Sequence, residues 1–199
     1  TDGLPHVFLT SDMLDLSVFL STAGPRLAAV PALYYFHENQ LTYPLPAGVE
    51  RDLGYGFKNV TGALAAQTVL FNSQFHRREF LSAAAELLAG MPDEVPGWAV
   101  EEIDAKSSVL PVGCDLRRFE RYRAQALADA RANRGVDPVD GPLLLWNQRW
   151  EYDKAPGELF SALYALQDAG VRFRVALAGP NQGTPTAEFL EASTRLADK

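Results

Sequence analysis

Short, unbroken apolar runs alternate with longer helical patterns along this chain, and that alternation constrains the fold more than any other feature of the sequence. Runs at residues 7–10, 32–36, 68–71 and 108–112 read as strands. The stretches at 14–21, at 52–66 and between Ser73 and Gly90 read as helices. Strands joined through helices lie parallel, because the crossover carries the chain back to the end of the sheet from which it left. Residues 32–36 are apolar without alternation, the pattern of a strand covered on both faces. Ser73 is placed to cap a helix with Phe75, Phe80, Leu81, Ala84, Leu87 and Leu88 along one side, and Gly90 to stop it. Residues 91–106 are acidic and carry two prolines, so they read as an irregular excursion. Pro111 places the fourth strand at a sheet edge or a strand end. After Gly141-Pro142 a second unit begins, with a buried strand at 143–146, a helix at 156–169 and a strand at 173–178. Between the units residues 117–134 read as helical, and Gly135, Pro138 and Gly141 punctuate the exit. The expectation is an α/β chain with two parallel-sheet domains, 1–113 and 142–199, joined by a helical linker at 114–141.

Composition narrows what such a chain does. No run approaches the roughly 20 apolar residues of a membrane span, and the first residues do not read as a signal peptide. Cys114 is the only cysteine and His6, His37 and His76 the only histidines, so neither an internal disulfide nor a zinc-type cluster is expected. A protein of a reducing, cytoplasmic compartment is the expectation. The net charge of −7 does not suit nucleic-acid binding by bulk electrostatics. Only residues 114–134, with 6 arginines against 3 acids, offer a cationic stretch, either a patch or a solvated helix face.

Ligands of open parallel sheets bind beyond the carboxyl ends of the strands. Two polar clusters sit there. One is His37-Glu38-Asn39-Gln40-Leu41-Thr42-Tyr43-Pro44, directly after residues 32–36; the other is Asn147-Gln148-Arg149-Trp150-Glu151-Tyr152-Asp153-Lys154, directly after 143–146. Both are either ligand-facing loops of a cleft between domains or helix-capping turns, with Asp153 a candidate cap for the helix near Pro156. Arg149 and Lys154, just before a helix N-terminus, have the chemistry of a diphosphate clamp. His37 leaves a strand end and can orient a sugar hydroxyl or a phosphate oxygen, or simply hydrogen-bond within its loop.

The eight residues from His37 to Pro44 resemble the His-Glu-Asn-Gln-Leu-x-Tyr-Pro motif of the tRNA-queuosine alpha-mannosyltransferase family. Arg149 to Lys154 resembles the Arg-Trp-Glu-x-Asp-Lys segment of that family. Glu50-Arg51-Asp52 with Tyr55-Gly56, and Phe71-Asn72-Ser73 with Phe75, are similar to further stretches of it. More loosely, Gly113-Cys114-Asp115 with Phe119 resembles the interdomain segment of retaining GT-B glycosyltransferases, with Cys114 where valine is usual. The resemblance implies two Rossmann-like domains facing a cleft, both incomplete in this stretch. It implies His37 and Glu38 as catalytic positions, Arg149 and Lys154 on the donor diphosphate, and Asn39, Gln40, Tyr43, Asn72 and Ser73 along the cleft or acceptor. Arg117, Arg118, Arg121 and Arg123 are the cations available for tRNA.

The implied reaction is transfer of mannose from GDP-mannose to queuosine-modified tRNA with retention, through front-face attack and without cofactor or metal. No Asp-x-Asp pair occurs in the sequence. Two features of the wider group are missing: the Gly-rich turn after a first strand, and a Glu pair spaced by seven residues in the second domain. Glu86/Glu94 and Glu94/Glu102 have that spacing by coincidence, so residues 1–199 alone are expected to be inert. Other readings are a retaining transferase acting on a small-molecule, lipid or glycan acceptor, and a non-catalytic sugar-nucleotide- or RNA-binding protein. Membrane association is not expected, and oligomeric state is open.

Overall fold

A computed structural model describes residues 3–46, 48–132, 141–180 and 186–198; the side chains of residues 121 and 130–132 fall outside it. The chain is α/β and divides into two compact units, Thr1–Cys114 and Asp115–Lys199.

The first unit carries a parallel sheet of strands β1 (Phe8–Ser11), β2 (Ala32–Phe36), β3 (Thr68–Phe71) and β4 (Ser107–Val109), adjacent in chain order. Phe8 pairs with Ala32, Leu33 with Thr68, and Val69 with Ser107. Helices α1 (Leu16–Thr22) and α2 (Pro25–Ala28) connect β1 to β2, and α3 (Leu53–Ala65) connects β2 to β3. Helices α4 (Gln74–Ala89) and α5 (Trp98–Ala105) connect β3 to β4. Consecutive parallel strands joined by crossovers of one hand receive all their helices on one face. One apolar cluster accordingly joins Ala32, Tyr34, Phe36, Val69 and Phe71 to Leu16, Val60, Phe80 and Ile103 of four different helices. Phe36 and Phe71 stack at 4.7 Å, and Phe80 closes on Phe36 at 4.5 Å. The other sheet face is more open: Leu33 and Tyr35 are half-buried and Leu9 is 73% exposed. The apolar run of β2 therefore does not mark a strand covered equally on both sides. Its even-numbered residues carry the core.

Helix α4 begins and ends as its sequence implies, with Ser73 Oγ accepting from the His76 N–H at 3.1 Å and Gly90 at its C-cap. Its buried stripe is His76, Phe80, Ala84 and Leu88, so a histidine fills the first core position and Phe75 stands 66% exposed. Residues 91–106 are not wholly irregular. Both prolines precede α5 instead of interrupting it, and Ala99 and Ile103, one turn apart, are buried. Helix α4 is tied to α5 by Arg77, whose Nη2 lies 2.5 Å from Asp104 Oδ1. At the edge, β4 ends at Val109 shortly before Pro111.

In the second unit β5 (Leu143–Asn147) and β6 (Arg174–Ala178) pair in parallel. Helices α7 (Pro156–Asp168) and α8 (Ala187–Arg195) cover one side with Phe160, Leu163, Phe189 and Ala192. Leu144 and Trp146 turn toward that cluster, whereas Leu143 and Leu145 are 55% and 65% exposed. The strand expected to be buried is thus half-buried on one side and exposed on the other. Leu116–Phe119 form a 3-10 turn leading into α6 (Glu120–Ala132), whose described side chains are all exposed. Gly135 and Pro138 lie outside the described residues.

Phe80→Ala is expected to destabilise the first unit by about 3–5 kcal/mol, and Phe75→Ala by less than about 0.5 kcal/mol. Urea unfolding of the two variants checks the assignment of the buried stripe.

Candidate functional site

The eight residues after β2 are held by buried polar side chains reaching in from three other segments. Asp12, at the end of β1, is 1% exposed, and its Oδ1 accepts from the His37 N–H at 2.9 Å. Asn59, wholly buried in α3, donates to the Asp12 carbonyl at 2.9 Å and accepts from the Gln40 N–H at 3.0 Å. Arg51 places one guanidinium nitrogen 2.6 Å from the Gln40 carbonyl and the other 2.8 Å from that of Tyr43. Asn39 is buried, and its amide oxygen accepts from the N–H groups of Leu41 and Thr42 at 3.1 and 3.0 Å, closing an Asx turn. Gly56 lets α3 pack against this turn, because a Cβ there would run into Leu41. Tyr34 donates its hydroxyl toward the Asp12 carbonyl at 3.1 Å, and burial pushes its pKa up to about 12, so it stays a neutral donor.

On the far side, Asn72 Nδ2 donates to the His37 carbonyl at 2.7 Å. That orientation leaves Asn72 Oδ1 as an acceptor, and it lies 3.1 Å from His76 Nδ1. His76 therefore carries its proton on Nδ1. Burial among Phe36 and Phe71 lowers its pKa, opposed by the carboxylate of Asp12. Two buried acceptors lack a protein partner here, Asp12 Oδ2 and His76 Nε2.

His37 itself is exposed, its ring tilted against Tyr35 with centroids 4.7 Å apart. It borders two cavities. One, about 390 Å³, is lined by His37, Glu38, Asn39, Tyr43, Asn72 and Ser73 together with Phe75, His76 and Glu79. The other, about 420 Å³, is more apolar and runs over Leu9, Tyr35, Leu110 and Val112. The structure thus gathers every residue expected from the first cluster except Gln40, whose amide reaches Glu38 at 3.0 Å instead. A larger cavity of about 670 Å³ lies between α3 and α4 and holds none of the expected residues.

The second cluster leaves β5 and packs against the loop after β6. Gly179, at φ 134°, runs against the Gln148 backbone with no room for a Cβ. Trp150 stacks flat on Phe189 at 4.3 Å. Arg149, half exposed, pairs with Glu151 at 3.2 Å, and Lys154 with Asp153 at 2.5 Å. Asp153 does not cap α7; Ala155 stands at that cap in the left-handed region, φ 48°, with no side-chain hydrogen bond. Arg117, Arg118 and Arg123 are exposed, Arg117 beside Asp115 at 2.9 Å, and the Arg121 side chain lies outside the described residues. Among the described residues no trio of metal-ligating side chains gathers and no helix is long and apolar enough to cross a membrane.

Asp12, Asn59 and His76 escaped the sequence reading. For two of them a local hint existed, though not of the partner: Asn59 and His76 each occupy a core position of an apolar helical stripe, beside Val60 and Ala63 or one turn before Phe80. A polar residue at such a position must bond inward.

The depressed pKa of His76 has a sign. The folded state favours the neutral ring, so the stability it contributes is present above the unfolded value near 6.5 and is lost as pH falls below it. Urea midpoints between about pH 7.5 and about pH 5 should fall more steeply for wild type than for His76→Gln.

A family model described as tRNA-queuosine alpha-mannosyltransferase N-terminal matches residues 2–114. A tRNA-queuosine alpha-mannosyltransferase of Drosophila melanogaster is 33% identical over 194 residues, covering 98% of this chain and 50% of that protein. The chain therefore spans about half the length of that relative. With the eight-residue turn after β2 intact and matched over the whole first unit, the chain belongs to the tRNA-queuosine alpha-mannosyltransferase family.

Proposed function

We propose that this chain is part of an enzyme that transfers mannose from GDP-mannose to queuosine-modified tRNA, with retention of configuration. The observation that carries this reading is the braced His37–Pro44 turn at the end of β2, in a chain of this family. In the whole protein the two units take the GT-B arrangement, with 1–113 on the acceptor side, 114–141 as linker and 142–199 opening the donor-binding domain. His37 and Glu38 face the transferred sugar. Tyr43 and Ser73 line the acceptor side of the same cavity, and Asn39 and Gln40 hold the turn.

Arg149 and Lys154 grip the donor diphosphate beside the N-terminus of α7. Each now faces a carboxylate, Glu151 or Asp153, and the more highly charged diphosphate draws the cations away from these partners. Positive side chains and a helix end stabilise the leaving group, so the reaction needs neither metal nor cofactor. The departing phosphate takes the proton of the attacking hydroxyl. Arg117, Arg118, Arg121 and Arg123 supply tRNA phosphate contacts, and the cytoplasm is the compartment this reading implies.

Arg149→Ala in the full-length protein should weaken GDP-mannose binding by about 1.5–3 kcal/mol, measured by calorimetry; unchanged affinity removes Arg149 from the diphosphate site. Labelled GDP-mannose should label tRNA carrying queuosine and spare tRNA with unmodified guanine, whose base lacks the cyclopentene diol. Label entering a small glycan or lipid but neither tRNA sinks the acceptor assignment and leaves the transferase standing. Transfer to tRNA should weaken as salt rises, and neutralising the four arginines should hurt tRNA use more than donor binding while making the salt dependence shallower.

A further inference from the structure

We propose that Asp12, Asn72 and His76 are positioning residues for His37: they hold its peptide from both sides and so set the direction in which its imidazole leaves the end of β2. The inference rests on the functional reading only in taking His37 to act at the transferred sugar.

The His37 N–H donates to Asp12 Oδ1 at 2.9 Å, and the His37 carbonyl accepts from Asn72 Nδ2 at 2.7 Å. These partners come from different strand ends, so the two peptide planes flanking the His37 Cα are anchored independently. Each anchor is fixed in turn. Asp12 is 1% exposed, with its carbonyl held by Asn59 at 2.9 Å. Asn72 cannot flip its amide, because its oxygen would then face the His37 carbonyl. His76 is fixed through its backbone by Ser73 Oγ and through its ring by Phe36 and Phe71. The His37 ring is exposed, and among the described residues its one ring contact is with Tyr35, so the direction of its Cα–Cβ bond is set by its own backbone. Asn72 lines the cavity yet spends both ends of its amide on this chain. It acts through His37, not on the acceptor.

The test compares wild-type full-length protein with Asn72→Asp, His76→Leu and His76→Asn, in steady-state mannosyl transfer and in carbon-13 NMR of the imidazoles. Asn72→Asp keeps the shape and removes the donor to His37. His76→Leu keeps apolar packing and removes the donor to Asn72, whereas the amide nitrogen of His76→Asn stands where Nδ1 stood. Asn72→Asp and His76→Leu should lower kcat roughly tenfold or more, with KM for GDP-mannose within about twofold, and His76→Asn should recover most of the loss. In Asn72→Asp the His37 resonances should shift, and His76, with a second carboxylate beside it in addition to Asp12, should titrate at higher pH. Full kcat in Asn72→Asp, equal loss in both His76 variants, or unmoved His37 resonances in Asn72→Asp would each overturn the proposal. A wild-type protein that transfers no mannose overturns the functional reading instead, and the imidazole resonances then decide this one alone.

Discussion

The side-chain amide of Asn59 joins the end of β1 to the turn after β2, and the arrangement of the first unit turns on that joint. Asn59 sits with no exposed surface in the apolar stripe of α3, where a bare amide costs several kcal/mol by transfer to an apolar medium. Its donor meets the Asp12 carbonyl and its acceptor the Gln40 N–H, so the cost is met only when strand, helix and turn are assembled together. Asp12 in turn bonds the His37 N–H, and Arg51 ties the carbonyls of Gln40 and Tyr43. The site is therefore built by the same bonds that make the interior tolerable.

That economy explains which parts were legible beforehand. Strands β2 and β3 coincide with the apolar runs at residues 32–36 and 68–71. Ser73 and Gly90 announced the ends of α4 by local chemistry that needs no tertiary context. The face each residue turns was less visible. Phe75 is apolar and exposed, His76 polar and buried, and only the stripe through Phe80, Ala84 and Leu88 distinguishes them. Helix α5 was obscured by prolines that in fact precede its first turn. The motif residues from His37 to Pro44 were found, but their supporters Asp12 and Asn59 were not, since their roles arise from contacts distant in sequence.

The two clusters are made rigid by different means. The first relies on hydrogen bonds to buried amides and a carboxylate. The second relies on apolar stacking, with Trp150 lying flat on Phe189, and on Gly179 passing where no side chain fits. Arg149 is exposed and pairs with Glu151, whereas Lys154 and Asp153 pair half-buried in the same loop. An exposed pair such as Arg149–Glu151 is worth little in stability.

The neighbour order of the first sheet also bears on how the chain comes to be folded at all. Phe8 pairs with Ala32, Leu33 with Thr68, and Val69 with Ser107, so each strand joins a ladder whose preceding member has already been synthesised. Parallel pairings are slow because a whole crossover must be ordered first. Here no ladder among these strands waits for a later one to be inserted between its members. The sheet can therefore grow by addition at one edge as the polypeptide emerges from the ribosome. Among the described residues that order leaves the short β4, with Pro111 just beyond it, as the last strand added, and a proline there offers a neighbouring nascent chain no backbone N–H to pair with.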